Sequence, residues 1–376
     1  MEEQETQKTV NHPKSEGLLY HYTDQSGLLG ILDSKSIWAT HVRYLNDASE
    51  FVHGINIARQ CVKEAEISLE SVLRDYPDKA TRQGGSHKVW DIMSEQFSFM
   101  LSTLSEIPVY VACFFDSETE EHFSQSQGVG DSLGQWRAYS KGSAGFSIGF
   151  DKGSLEDHIK RRQTEPEDSL LFGEKCIYDE EEQRESLMKE SADFGRALVE
   201  FIKRSWDDFD ESRRSSVLEN ANERALKANY EKADGPTRTV EVPTIKDFLL
   251  RRVGFFDESV RRIAVEMAIP AVFMKHPAFR EEKEWRIAKV FSPKPKEVSF
   301  RPGMSSLVPY IAIPLPILNE SGPSLIRRII VGPSPEIENA VAAAKMLLMS
   351  KGYKVRYSRD DDGVEVVPSQ IPYRDW

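Results

Sequence analysis

Cysteine is scarce and badly placed for pairing. Only Cys61, Cys113 and Cys176 occur, far apart and odd in number. That pattern matches neither a disulfide framework nor a zinc site and fits a reducing cytoplasm. No apolar run approaches the ~20 residues that a membrane span needs. The opening MEEQETQKTVNHPKSEG lacks the charged-then-apolar order of a signal peptide, so a soluble, cytoplasmic protein is expected. An excess of basic charge is also missing. Lys and Arg number 49 against 61 Asp and Glu, a net charge of -12, which argues against broad phosphate-backbone binding and leaves room only for a local basic groove. The chain has no P-loop, no G-x-G-x-x-G after a strand, no G-x-S-x-G and no H-E-x-x-H, and the chemistries those motifs carry lose their support.

What remains is enough for a folded protein. Hydrophobic residues make up 39% of 376, so a sizeable core is within reach and disorder is not the default. Residues 1–16 read as a flexible tail. Leu18–Tyr22 reads as a strand, and Asp24 then caps a short helix with Leu28, Leu29, Ile31 and Leu32 on its apolar face. SIWATHVRY reads as a second strand. LNDASEF opens a helix running to about Arg74, with Asp47 at the cap and Glu50 three residues on. A further helix is expected over Val89–Leu104. VYVACFFD (109–116) is a buried strand, and Cys113 within it reads as core rather than nucleophile. The polar loop 116–134 is long enough to be functional. QWRAYSKGSAGFSIGFD adds a short helix, a glycine-rich turn and a strand. The charged, helical stretch 179–275 reads as an insertion and a protein-contact surface. Strands EWRIAKVF, LVPYIAIPL and LIRRIIVGP follow, then a helix and a short strand YKVRYS. The core thus comprises 17–178 and 276–376, an α+β arrangement.

Four polar clusters can carry chemistry. In Tyr20-His21-Tyr22-Thr23, His21 and Thr23 share one strand face and the tyrosines the other. A lone histidine there is more often a satisfied core residue than a ligand. RYLNDASE offers Arg43, Tyr44, Asn46, Asp47 and Glu50; helix capping explains Asp47 and Glu50 but not Tyr44 and Asn46. Trp136 and Tyr139, three apart, share a helix face, usually a core arrangement. In FREEKEWRIAKV, alternation puts Glu282, Glu284 and Arg286 on one strand face. Two carboxylates so close raise each other's pKa unless a cation relieves them, and Arg286 is placed to do so. The plainer reading is a solvated strand face with a surface ion pair.

Taken together, LYHYT, GLLGILDSKSIWATHVRYLND..E, QWRAY...GFSIGF, EEKEWRI and the C-terminal VPSQIPYR resemble, in this order, a bacterial family of unknown function, over about Leu18 to Arg374. A second resemblance is to ADP-ribosyltransferase folds of the His-Tyr-Glu class, through a strand with His-x-Thr, a short helix and a following strand. It implies a split β-sheet core with a helical insertion, and NAD as co-substrate. His21 matches the histidine that holds the ribose, Tyr44 the stacking aromatic, and Glu284, with Glu282, the carboxylates that stabilise an oxocarbenium-like transition state. Thr23, Asn46, Asp47, Trp136, Tyr139 and Arg286 are then candidates for NAD contact, with no metal. The resemblance implies an NAD-dependent transferase or glycohydrolase of toxin or phage-defence type, with a protein or nucleic-acid acceptor. Two other readings stand beside it: a non-catalytic nucleotide- or protein-binding module, and a nuclease holding magnesium on Asp47, Glu50, Glu282 and Glu284.

Overall fold

Alternating apolar residues in the first and third predicted strands set the plan of the sheet. The computed structural model describes residues 17–45, 49–74, 102, 104, 106–116, 130–139, 145–166, 170–188, 265–290, 294–303, 305–317, 324–358 and 361–372. Ten strands are formed: β1 (Leu18–Thr23), β2 (Ser36–His41), β3 (Val109–Asp116), β4 (Phe146–Asp151), β5 (Leu171–Lys175), β6 (Glu284–Val290), β7 (Ser299–Pro302), β8 (Leu307–Pro314), β9 (Ile326–Val331) and β10 (Glu365–Pro368). Helices among the described residues include α1 (Gln25–Ser34), α2 (Ser49–Arg74), α3 (Leu133–Tyr139), α4 (Lys152–Arg162) and α5 (Ile337–Ser350).

The chain divides into two units. One holds Met1–Ala48, Pro108–Cys176 and Lys275–Trp376; the other holds Ser49–Ile107 and Ile177–Met274. The sequence boundaries placed 49–107 with the core, whereas here it clusters with the charged middle third.

In the first unit the sheet is mostly antiparallel and open, and it forks at β3. One edge of β3 pairs along its length with β6, which in turn pairs with β5. The other edge is shared: β2 pairs at Tyr110 and Val111, and β1 pairs at Phe115 and Asp116. From β1 one arm continues through β4 and β9 to β10; from β2 the other continues through β8 to β7. A mixed α+β architecture with one mostly antiparallel, open sheet is therefore present.

Period-two alternation sorts the side chains onto two faces. Leu19, Phe114, Ile148, Phe150, Trp285 and Ile287 share a large core with Leu28, Ile31 and Leu32 of α1, Leu155 and Ile159 of α4, and Ala344 and Leu348 of α5. Leu29 instead points outward, 45% exposed. A smaller cluster on the opposite face holds Tyr20, Tyr22, Phe115, Trp136 and Ile330. Asp24 caps α1 as expected, its carboxylate accepting from the Gly27 amide at 2.8 Å.

Other details depart from the sequence pattern. β2 ends at His41, and Val42–Tyr44 turn into a 3-10 helix. YKVRYS makes a single bridge, Val355 to Val364, rather than a strand, and the parallel partner of β9 is β10. β5 and β7, short and with little alternation, escape the pattern. The expected helix 89–104 and the loop 117–129 lie largely outside the described residues.

In the second unit, α2 approaches residue 271 so closely that a Cβ on Gly54 would stand 2.2 Å from the Ala271 carbonyl oxygen. Its His53 Nε2 meets Gln183 Oε1 at 3.1 Å, while the fully buried Gln183 amide donates to the Ile177 carbonyl at 2.6 Å. These bonds satisfy polar groups that burial would otherwise leave unpaired.

Candidate active site on the Glu284 face of the sheet

The register decides which candidates meet. Tyr20 is opposite Phe115 across β1 and β3, and Phe115 is opposite Glu284 across β3 and β6. Residues in register share a face, so Tyr20 and Tyr22 lie on the face of Glu284, with Cys113 and its partner Arg286. His21 and Thr23 lie on the other face, where His21 is opposite Ile148 and its ring tilts against Phe114 at 5.6 Å. The structure therefore does not assemble His21 and Glu284 around one ligand.

His21 has a structural task instead. Between the β2 and β1 pairings, the Cys113 carbonyl falls at the fork, and His21 Nδ1 meets it at 2.9 Å. A carbonyl only accepts, so Nδ1 carries the proton and Nε2 is left as an acceptor. Burial lowers the His21 pKa and so favours the neutral ring, against the smaller, opposing effect of this bond. Thr23 packs against Gly27 at the start of α1, where a Cβ would collide with its hydroxyl.

Tyr44 is also apart. It is 43% exposed on the 3-10 turn and meets His41 edge-on at 5.8 Å. His41 pairs with Tyr110, five residues along β3 from the partner of Glu284, about 17 Å at strand rise. Asn46 and Asp47 lie outside the described residues, as does the Glu50 side chain.

On the Glu284 face the charged groups do converge. Glu284 is at the start of β6 and Arg286 two residues on, and the guanidinium donates from Nε to Oε1 at 2.7 Å and from its NH2 to Oε2 at 3.1 Å. Lys275 Nζ donates to Glu284 Oε2 and Glu282 Oε2, each at 2.5 Å. Glu282 is not on the strand. It ends the 3-10 helix Pro277–Glu282, and Lys283, in the left-handed region at φ 42°, turns the chain into β6. The pair expected from alternation is thus created by a turn and held by a lysine. Glu284, Lys275 and Arg286 side chains are 7%, 3% and 3% exposed, whereas Glu282 is 37% exposed and forms the rim.

Burial alone would push the Glu284 carboxyl up. The charge of Arg286, its hydrogen bonds and the charge of Lys275 outweigh that and bring the pKa down to about 2. The mutual repulsion expected of the two glutamates is overcome. Cys113, beside Glu284, is pushed well up, by burial first and then by the glutamate charge, and stays a thiol. Tyr139 is raised by burial, then by Cys113, Glu284 and Glu282, and stays a neutral phenol, packed against the Phe115 cluster.

The helix that carries Tyr139 is docked by aromatics. Trp136 is buried and meets Tyr22 edge-on at 4.8 Å; it builds the wall rather than offering a stacking face. Sequence reasoning missed Lys275, while Cys113 stays the unreactive strand residue that was expected. Lys275 belongs to no periodic pattern with Glu282 and arrives through the 3-10 turn. Among the described residues no group of three His, Cys, Asp or Glu side chains could hold a metal ion. Among them, too, no helix is long and apolar enough to cross a membrane.

Residues 135–287 match a family described as protein of unknown function, DUF2971. The DUF2971 segment opens just before Trp136 and closes just after Arg286, so Tyr139, Lys275, Glu282 and Glu284 all fall within it, and His21 and Tyr44 do not. Comparison with curated proteins and with solved structures gives no match.

Proposed function

We propose that this protein consumes NAD, as an ADP-ribosyltransferase or NAD glycohydrolase, and that Glu282 rather than His21 or Glu284 is the residue that meets the sugar. The observation that carries the proposal is the asymmetry of the carboxylate pair. Glu284 is buried, and its charge is matched by Arg286 and Lys275. Glu282, held by the same ammonium, is open at the rim. Cleaving the nicotinamide–ribose bond builds positive charge on the sugar, and a fixed carboxylate stabilises it. Glu284 positions Lys275, Lys275 positions Glu282, and Tyr139 packs on the same face of the sheet. The forked sheet agrees with the split core that the transferase resemblance implies.

The test is nicotinamide release from NAD by wild type and Glu282→Gln, with nucleic acid and cell extract added in separate reactions. Release by wild type alone supports the reading. Equal release by both removes Glu282.

A second reading has its own observation. Because two cations compensate Glu284, the cluster is close to neutral, which suits a non-catalytic nucleotide- or protein-binding module. NAD raising the melting temperature without releasing nicotinamide would favour it. In the magnesium reading, the Lys275 ammonium already occupies the place between the two carboxylates that a cation would take; nuclease activity that EDTA abolishes would revive that reading.

A further inference from the structure

The C-terminal stretch 367–372 has no part in the chemistry above, yet it is hydrogen-bonded to the turn that leads into α3. After β10, the Ser369 amide continues the ladder to the Val331 carbonyl at 2.8 Å. The chain then crosses to Asp131. Ser369 Oγ donates to Asp131 Oδ1 at 2.6 Å, and the Gln370 amide donates to Oδ2, also at 2.6 Å. The same carboxylate accepts from the Trp136 indole at 2.7 Å. Three donors from two distant segments meet on one side chain, 238 residues from Ser369 along the chain.

The turn holding Asp131 is itself fixed to the sheet. Tyr22 and Ser147 hydroxyls donate to the Gly130 carbonyl at 2.5 and 3.0 Å, and the Ser132 amide donates back to the Tyr22 oxygen at 3.0 Å. Ile371 packs against the same small cluster as Trp136 and Tyr139. Helix α3 is only seven residues long, too short to hold its place by its own hydrogen bonds. Its position therefore depends on these anchors, and with it the position of Tyr139.

We infer that Asp131 and Ser369 are positioning residues: they latch α3 to the C-terminal segment and so hold Tyr139 against the Phe115 cluster, on the face of the sheet that carries Glu284. The catalytic consequence rests on the function proposed above; the mechanical one does not. In Asp131→Asn, an amide NH2 replaces one acceptor oxygen and faces a donor, so one of the three bonds is lost and a repulsive contact replaces it.

The experiment is hydrogen exchange on the full chain for wild type, Asp131→Asn, Ser369→Ala and Ser369→Thr, with the kinetics of nicotinamide release measured alongside. Amides of 133–139 are expected to exchange at least tenfold faster in Asp131→Asn and about threefold faster in Ser369→Ala, while β4 keeps its protection. Ser369→Thr retains the hydroxyl and restores wild-type exchange. In Asp131→Asn, kcat falls at least tenfold while KM stays within about twofold. Unchanged exchange in 133–139, or an equal rise in β4, overturns the latch. Looser exchange with unchanged kcat overturns the positioning role. Absence of nicotinamide release from wild type sinks the proposed function instead, and the latch is then decided by exchange alone.

Discussion

Replacing Glu284 by glutamine keeps the shape of the side chain and removes the one buried anion from between two buried cations. Removing one partner of a buried ion pair costs about 3–5 kcal/mol, because the charges left behind stay desolvated. The proton equilibrium leads to a similar size. A carboxyl brought from 4.5 to about 2 on folding contributes roughly 1.4 kcal/mol per pKa unit, hence about 3 kcal/mol. Because the folded value is the lower one, this stabilisation is complete above the unfolded pKa near 4.5 and drains away as pH falls toward 2. For a unit of 150–250 residues, about 3 kcal/mol lowers Tm by roughly 6–12 °C. Thermal melts followed by circular dichroism at pH 7 should show that gap between wild type and Glu284→Gln, and melts below pH 4.5 should show it narrowing. Adding Lys275→Met to Glu284→Gln should recover part of the loss by removing a buried ammonium that has lost its buried carboxylate. Equal Tm values at pH 7, or a gap that does not respond to pH, would refute the assignment of Glu284 as the buried keystone of this cluster.

Glu282→Gln should behave differently: its carboxylate is partly exposed and Lys275 keeps Glu284, so the loss should stay near the ~1 kcal/mol of a solvent-screened pair and Tm should barely move while nicotinamide release is lost. His21→Ala should leave the Cys113 carbonyl unpaired and cost about 1–3 kcal/mol in denaturant melts, with nicotinamide release per folded molecule within about threefold of wild type; a much larger kinetic loss would return His21 to the active site. Since burial depresses the His21 pKa below 6.5, its contribution is present above that pH and declines as pH falls through it; the Tm difference between wild type and His21→Ala should shrink accordingly. Gly130→Ala should destabilise by at least about 1–3 kcal/mol, because Gly130 has φ +83° and a Cβ there would stand 2.5 Å from the Tyr20 ring; a Tm equal to wild type would contradict the turn described. The Cys113 thiol should resist thiol-disulfide reagents in the native state and react on unfolding, as its raised pKa requires.

Much of the framework was legible before any coordinates, and for physical reasons. VYVACFFD reads as a strand because aromatic and β-branched residues fill it, and β3 spans those eight residues. Asp24 caps α1 because a carboxylate before an apolar helix has one good use there. α2 spans Ser49–Arg74, the reach expected of the helix that LNDASEF opens. Elements built on weak local signals were missed. β5 is LFGEK and β7 is SFRP, and both exist because neighbouring edges accept them, a tertiary effect that no window of five residues contains. The unit that joins 49–107 to 177–274 is invisible for the same reason.

The site shows where period-two reasoning stops. Within β1 it separates His21 from Tyr20 and Tyr22, and within β6 it aligns Glu284 with Arg286; both inferences hold in the structure. It says nothing about which face of β1 matches which face of β6, since that depends on the register through β3, and a slip of one residue exchanges the faces. With Tyr20 opposite Phe115 and Phe115 opposite Glu284, the tyrosines join the glutamate and the histidine does not. Alternation failed in a second way at Glu282, where a left-handed Lys283 interrupts the strand that the pattern assumed. The two glutamates still meet, because the same turn that breaks the alternation delivers Lys275 between them. An ammonium shared by a buried and an exposed carboxylate is a more specific arrangement than the strand-face pair expected from the sequence: it fixes one charge so that the other can be presented. On the function proposed above, the chemistry is therefore to be sought at the rim, at Glu282, and the Tyr-His-Tyr strand is part of the sheet that carries it.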